Sequence, residues 1–87
     1  MKLIKENQKW KIYQTDEFKI CYRHKDSISG DNEINPKETI HFISGSAEIT
    51  LKKKTRIIKS PETIEFPEKT YHKIKAITDI SFILIEE

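Results

Sequence analysis

The sequence predicts an all-β chain, a small sandwich or barrel of antiparallel strands, and three observations carry that prediction. Its apolar content is overwhelmingly β-branched, with sixteen isoleucines, no valine and three leucines. Branched side chains fit a pleated, half-buried surface better than a helix. Apolar and polar residues alternate with a period of two along several segments, the spacing that sets one face of a strand on a core. Turn-forming residues break the alternation every 8 to 12 residues or so, the interval of short strands folded into a sandwich or barrel.

In order along the chain, Trp10 and Ile12 open an alternating segment, and Phe18, Ile20 and Tyr22 share one face of the next. Residues 27–37 change character: Ser29, Gly30, Asp31, Asn32, Asn35 and Pro36 all favour turns or irregular backbone, so this stretch is read as the main loop. Alternation resumes with Glu38, Ile40 and Phe42 on one face and Thr39, His41 and Ile43 on the other. After Ser44-Gly45-Ser46, Ala47, Ile49 and Leu51 oppose Glu48, Thr50 and Lys52, which makes the two runs a hairpin with a short glycine turn. Lys52 to Arg56 reads as a solvated turn leading to Ile57-Ile58, and Ile64 and Phe66 form a short strand ended by Pro67. His72, Ile74 and Ala76 share a face of the following segment, and Thr78-Asp79 turns the chain into a final strand from Ile80 to Ile85. The total is roughly eight strands in one domain spanning residues 1–87, divided into N-terminal strands (1–26), the loop (27–37) and the core segments (38–87).

Composition narrows the partners. With 87 residues there is no length for a second core, and a domain this small buries only about 60–65% of its unfolded surface, so association into a homodimer is expected. Sixteen basic and fourteen acidic side chains interleave to a net charge of +2, which argues against a nucleic-acid partner. The run Lys52-Lys53-Lys54 with Arg56 has no interleaved aromatic and reads as solvated. The single cysteine, Cys21, excludes an intramolecular disulfide and reads as a small buried hydrophobe. The N-terminus is charged almost at once and the longest apolar run is Phe82 to Ile85. The expectation is a cytoplasmic protein with no membrane partner.

Two stretches resemble the cupin superfamily. Glu38-Thr-Ile-His-Phe-Ile-Ser-Gly45 is similar to the latter half of the first cupin motif, in which six residues separate a glutamate from the glycine of a hairpin turn. Ser60 to Ala76 is similar to the second motif, in which a proline-containing turn, here at Pro67, precedes a histidine, here His72, by five residues. The resemblance implies a small antiparallel double-sheet jelly roll enclosing a pocket, commonly dimeric. It also implies a metal site of two histidines spaced by one residue, the glutamate and the later histidine. Glu38 and His72 match. The other two positions fall on Asp31 and Glu33, or with a shift of one residue on Asn32 and Ile34, so the histidine pair is missing. A set of Asp31, Glu33, Glu38 and His72 would hold one divalent ion (Mn, Fe, Ni or Zn), its oxygen-rich character favouring the harder ions such as Mn²⁺ or Mg²⁺.

Parity adds an independent argument. Glu38 shares a face with Ile40 and Phe42, and His72 with Ile74 and Ala76, so both polar groups point toward an apolar interior and need partners there. Brought together in a barrel, they would satisfy each other and are candidate general acid and base residues near neutral pH. The same reasoning sends Tyr22 and His24 inward with Phe18 and Ile20, as ligand-binding groups suited to sugar hydroxyls, and sends Arg23 outward. Three readings of function follow: a pocket, metal-free or weakly metal-binding, for a small polar, carbohydrate-like ligand; a divalent-metal-dependent enzyme of the isomerase or oxygenase type using Glu38 and His72; and a non-enzymatic oligomeric assembly module.

Overall fold

The alternating isoleucine segments pair into two antiparallel sheets facing each other. The computed structural model describes residues 1–33 and 35–87; Ile34 lies outside them. Among the described residues the strands are β1 (Lys2–Glu6), β2 (Trp10–Gln14), β3 (Lys19–Arg23), β4 (Ile28–Asn32), β5 (Glu38–Ser44), β6 (Ser46–Leu51), β7 (Lys54–Lys59), β8 (Glu62–Phe66), β9 (His72–Ala76) and β10 (Ile80–Glu86). One sheet has the order β1-β2-β3-β10-β5-β8 and the other β4-β9-β6-β7. The expectation of an antiparallel double-sheet barrel holds.

Two strands carry no periodic signal in the sequence. β1 is exposed along its whole length, so it has no apolar face to show. β4 occupies part of the 27–37 segment read as a loop, and pairs with β9 through a register shift between Gly30 and Asn32. Its turn-forming residues make a bulge, which lets a strand pass through positions that look like a turn.

The core is filled from the inner faces of both sheets. Across the larger sheet, Ile12, Cys21, Phe82 and Phe42 stand in one row of register partners, and Ile40 and Ile64 pair beside them. From the smaller sheet, Ala76 and Ile74 pair with Ala47 and Ile49. Phe66, Phe82, Ile40, Ile49 and Cys21 are the largest fully buried side chains. The Phe42 and Phe82 rings pack tilted at 5.3 Å. Gly45, at the β5–β6 turn, has φ +86° and sits where a Cβ would fall 2.2 Å from the Asp79 carbonyl oxygen, so a glycine is required there on two counts.

Register corrects the assignment of faces on β3. Cys21 and Arg23 point inward, opposite Ile12 and Trp10, whereas Tyr22 is 46% exposed and His24 is exposed. The pattern misleads because the outer face of this sheet is itself apolar: Tyr13, Ile20 and Ile83 form a second row across β2, β3 and β10. Both faces of β3 therefore read as hydrophobic.

Candidate functional site

Between the two sheets lies a pocket of about 250 Å³. The larger sheet contributes Arg23, Glu38, Ile40, Phe82 and Leu84, and the smaller sheet Ser29, Gly30, Asn32, His72 and Ile74, with Asn35 beside them. Glu38 and His72 both face inward, as parity predicted, and the barrel brings them together, with Glu38 Oε1 3.5 Å from His72 Nε2 and both side chains largely buried.

Their positions follow from neighbouring strands. Glu38 opens β5 opposite Phe66 of β8. His72 opens β9 opposite Leu51 of β6, and its ring lies on Phe66 at 4.7 Å. Behind it, Gly30 brings the β4 backbone onto the imidazole; a Cβ there would lie 3.0 Å from Nε2. Asn35 ties the approach to β5 to the turn before β9: its Nδ2 donates to the carbonyls of Pro36 and Pro67, and its Oδ1 accepts from the Thr70 amide.

Burial governs the protonation of the pair. It raises the Glu38 pKa, helped by the neighbouring Glu86 carboxylate and opposed by Lys19, which itself pairs with Glu86. Burial lowers the His72 pKa, against a smaller upward pull from the Thr70 carbonyl. Desolvation is the largest influence on each, and both groups are pushed toward their neutral forms. The Thr70 carbonyl, 3.4 Å from His72 Nδ1, can accept only a proton carried there. That leaves the Nε2 lone pair toward Glu38, whose carboxyl complements it when protonated. Chemically, the pair can move a proton near neutral pH and can both donate to and accept from a bound molecule.

Arg23, which the sequence reading turned outward, supplies the positive wall. Its guanidinium lies between the Trp10 and Phe82 rings at 5.2 and 5.4 Å, and Nη1 donates to the Tyr22 carbonyl. Burial lowers its pKa, yet an arginine keeps its charge in a protein. Arg23 Nε and the Ser29 hydroxyl are buried without a hydrogen-bond partner, and no carboxylate is ion-paired with Arg23 among the described residues. Both residues are half-buried, and the guanidinium is also held at Nη1 and near the Cys21 thiol, but a polar atom closed off from water without a partner is costly unless something meets it. No signal in the sequence marks Arg23 as inward, because its parity partner is the lone Cys21 rather than a large aliphatic residue.

The remaining predicted residues lie elsewhere. Tyr22 and His24 are outside this pocket: they line a separate groove with Trp10, Tyr13 and Asp79. His24 Nδ1 stands 3.8 Å from Asp79, and Tyr22 packs edge-on against Tyr13. Asp31 and Glu33 are exposed at the β4 bulge, and Asp31 Oδ1 accepts a hydrogen bond from the Tyr71 hydroxyl. Asp31, Glu33, Glu38 and His72 therefore do not converge, and among the described residues no three of His, Cys, Asp and Glu stand together as a metal-holding group. The donor set present does not fit the four-ligand ion the resemblance implied. Ile34, the alternative position for a ligand, lies outside the described residues.

A double-sheet antiparallel barrel with a polar pocket between its sheets defines the class of protein. No family model matches the chain, and no curated protein matches it. Solved structures do. A cupin superfamily protein from Desulfitobacterium hafniense superposes with a TM-score of 0.72 at 12% identity, over 97% of this chain and 72% of that one. A Cupin 2 conserved barrel domain protein from Salinispora arenicola gives 0.70 at 15% identity, over 98% and 68%. A predicted oxalate decarboxylase from Thermotoga maritima gives 0.70 at 19% identity, over 80% and 65%. The chain has the cupin fold.

Proposed function

We infer that the barrel binds a small polar ligand whose acceptor oxygens meet Arg23 and Ser29, in a pocket that works without a metal ion. The observation that carries this reading is the pair of buried, unpartnered donors, Arg23 Nε and Ser29 Oγ, on the wall of the Glu38–His72 pocket. At about 250 Å³ the pocket lies just below the usual range for drug-sized ligands, roughly 300–1,000 Å³, so the ligand has few heavy atoms. A guanidinium favours a carboxylate by paired, charge-assisted hydrogen bonds. The name of the Thermotoga maritima neighbour makes small carboxylates the first compounds to try, ahead of sugars. Glu38 and His72 then serve as a neutral donor–acceptor pair at the other side of the ligand.

The test is a thermal-shift and calorimetric screen of small mono- and dicarboxylates and simple sugars, with and without chelator, against the protein and its Arg23→Met variant. A ligand that binds the native state raises its stability by mass action. The expected result is a saturable rise with at least one compound, unchanged by chelator and lost in Arg23→Met. A rise that requires a divalent ion would overturn the metal-free reading, and the absence of any ligand response would overturn the binding reading.

A further inference from the structure

A second groove opens between the β6–β7 hairpin and β8, on the side of the barrel where the two sheets end in the edge strands β7 and β8. It holds about 780 Å³, three times the volume of the polar pocket. Its walls are aliphatic: Leu51 and Pro67 reach its surface, and the almost fully buried Ile49 and Ile64 lie at its floor. Its rim is the lysine run, since Lys52, Lys53, Lys54 and Arg56 all line it. Arg56 is ion-paired with Glu62 at 3.1 Å. No carboxylate is ion-paired with Lys52, Lys53 or Lys54 among the described residues.

We propose that this groove holds a free straight-chain aliphatic carboxylate, its chain along Leu51 and Pro67 above the floor formed by Ile49 and Ile64, and its anionic end among Lys52, Lys53 and Lys54. Two independent features select that ligand. The aliphatic walls favour a methylene chain, because each methylene removed from water contributes, and they offer no aromatic face for a base or a sugar ring. Three adjacent cations without partners favour an anion at one end, and they select against a symmetric contact with a second copy of this chain, in which the two identical rims would face each other. A phosphate backbone would satisfy the lysines but leave the aliphatic walls wet. The lysine run, which reads in sequence as a solvated turn, is thereby given a partner: the hairpin places it at the mouth of an apolar channel.

The experiment titrates the isotope-labelled protein with hexanoate, octanoate and decanoate below their micelle concentrations, following isoleucine and leucine methyl resonances. The uncharged decanol is the control ligand. The expected result is saturable shifts on the methyls of Ile49, Leu51 and Ile64, with affinity rising by up to about fourfold per added methylene. The triple variant Lys52→Gln, Lys53→Gln, Lys54→Gln changes exposed side chains, so its melting curve should match the parent's. It should bind decanoate at least about tenfold more weakly and decanol as before. The proposal is overturned if the carboxylates do not bind, if affinity ignores chain length, if the triple variant binds decanoate normally, if the shifts fall on other methyls, or if the protein binds anionic lipid vesicles but not the monomeric acids.

Discussion

The backbone of Gly30 rests on the imidazole of His72: a Cβ at Gly30 would stand 3.0 Å from both Nε2 and Cδ2 of the ring and 2.9 Å from the His72 carbonyl oxygen. Gly30 also has φ +81°, in the left-handed region that side chains rarely enter. The bulge in β4 is thus what lets the strand close over the histidine, and the ring's position depends on a residue that bonds to nothing through a side chain.

Gly30→Ala is therefore expected to push the His72 ring away from Glu38. Left-handed backbone costs a non-glycine residue about 1–2 kcal/mol, which at roughly 4–8 °C per kcal/mol for a domain of this size lowers the melting temperature by about 5–15 °C. Calorimetric melting checks it, and an unchanged melting temperature would show that β4 shifts freely.

Arg23→Met separates ligand binding from folding. Removing a half-buried charge that has no ion-pair partner, and replacing it with an apolar side chain of similar length, is expected to be neutral or stabilising. The expected variant melts at or above the parent temperature and binds no ligand in the polar pocket. A large loss of stability would mean that the guanidinium is held by the fold.

His72 makes the protein acid-sensitive. Because its folded pKa is depressed, the unfolded chain takes up the proton first. The stability this group contributes is present above the unfolded value, about 6.5, and is lost as the pH falls from there through the folded value. Melting temperatures of the parent should drop relative to His72→Gln between about pH 7 and pH 5. A constant difference across that interval would remove His72 as the cause.

Glu38 acts in the opposite sense. Its folded pKa is raised, so its contribution is in place below the unfolded value and is lost as the pH rises through the folded one. Glu38→Gln keeps a donor for His72 Nε2 and carries no charge to desolvate. It should melt higher than the parent at pH 8, with the advantage vanishing toward about pH 4. A variant that melts lower at pH 8 would show that the ionised carboxylate is stabilising.

Cys21 is fully buried and burial raises its thiol pKa, so it should resist alkylation in the native protein and react on unfolding. Labelling with iodoacetamide, with and without denaturant, reads this directly. Equal labelling in both would mean that β3 opens readily.

The sequence made β5 and β9 legible because their two faces differ: Ile40 and Phe42, or Ile74 and Ala76, leave Glu38 and His72 no orientation but inward. It misplaced Arg23, Tyr22 and His24 because Ile20 and Tyr22 dress the outer face of β3 while the inner face carries a cysteine and an arginine. In a pattern of apolar weights, that strand points the wrong way, and only its register with β2 and β10 sets it right. β4 was hidden for a different reason. Its partner, β9, lies some forty residues further along the chain, and a bulge carries no periodic signature.

All four outer strands of the two sheets share a property. β1 has a register break between Leu3 and Lys5, β8 is bounded by Pro61 and Pro67, β4 is bulged at Gly30, and β7 carries Lys54, Arg56 and Lys59. Bulges, prolines and cations are the devices that stop a bare strand from templating another. A barrel too small to hide its margins has instead made each of them a poor docking rail, which guards an isoleucine-rich chain against fibrillar growth.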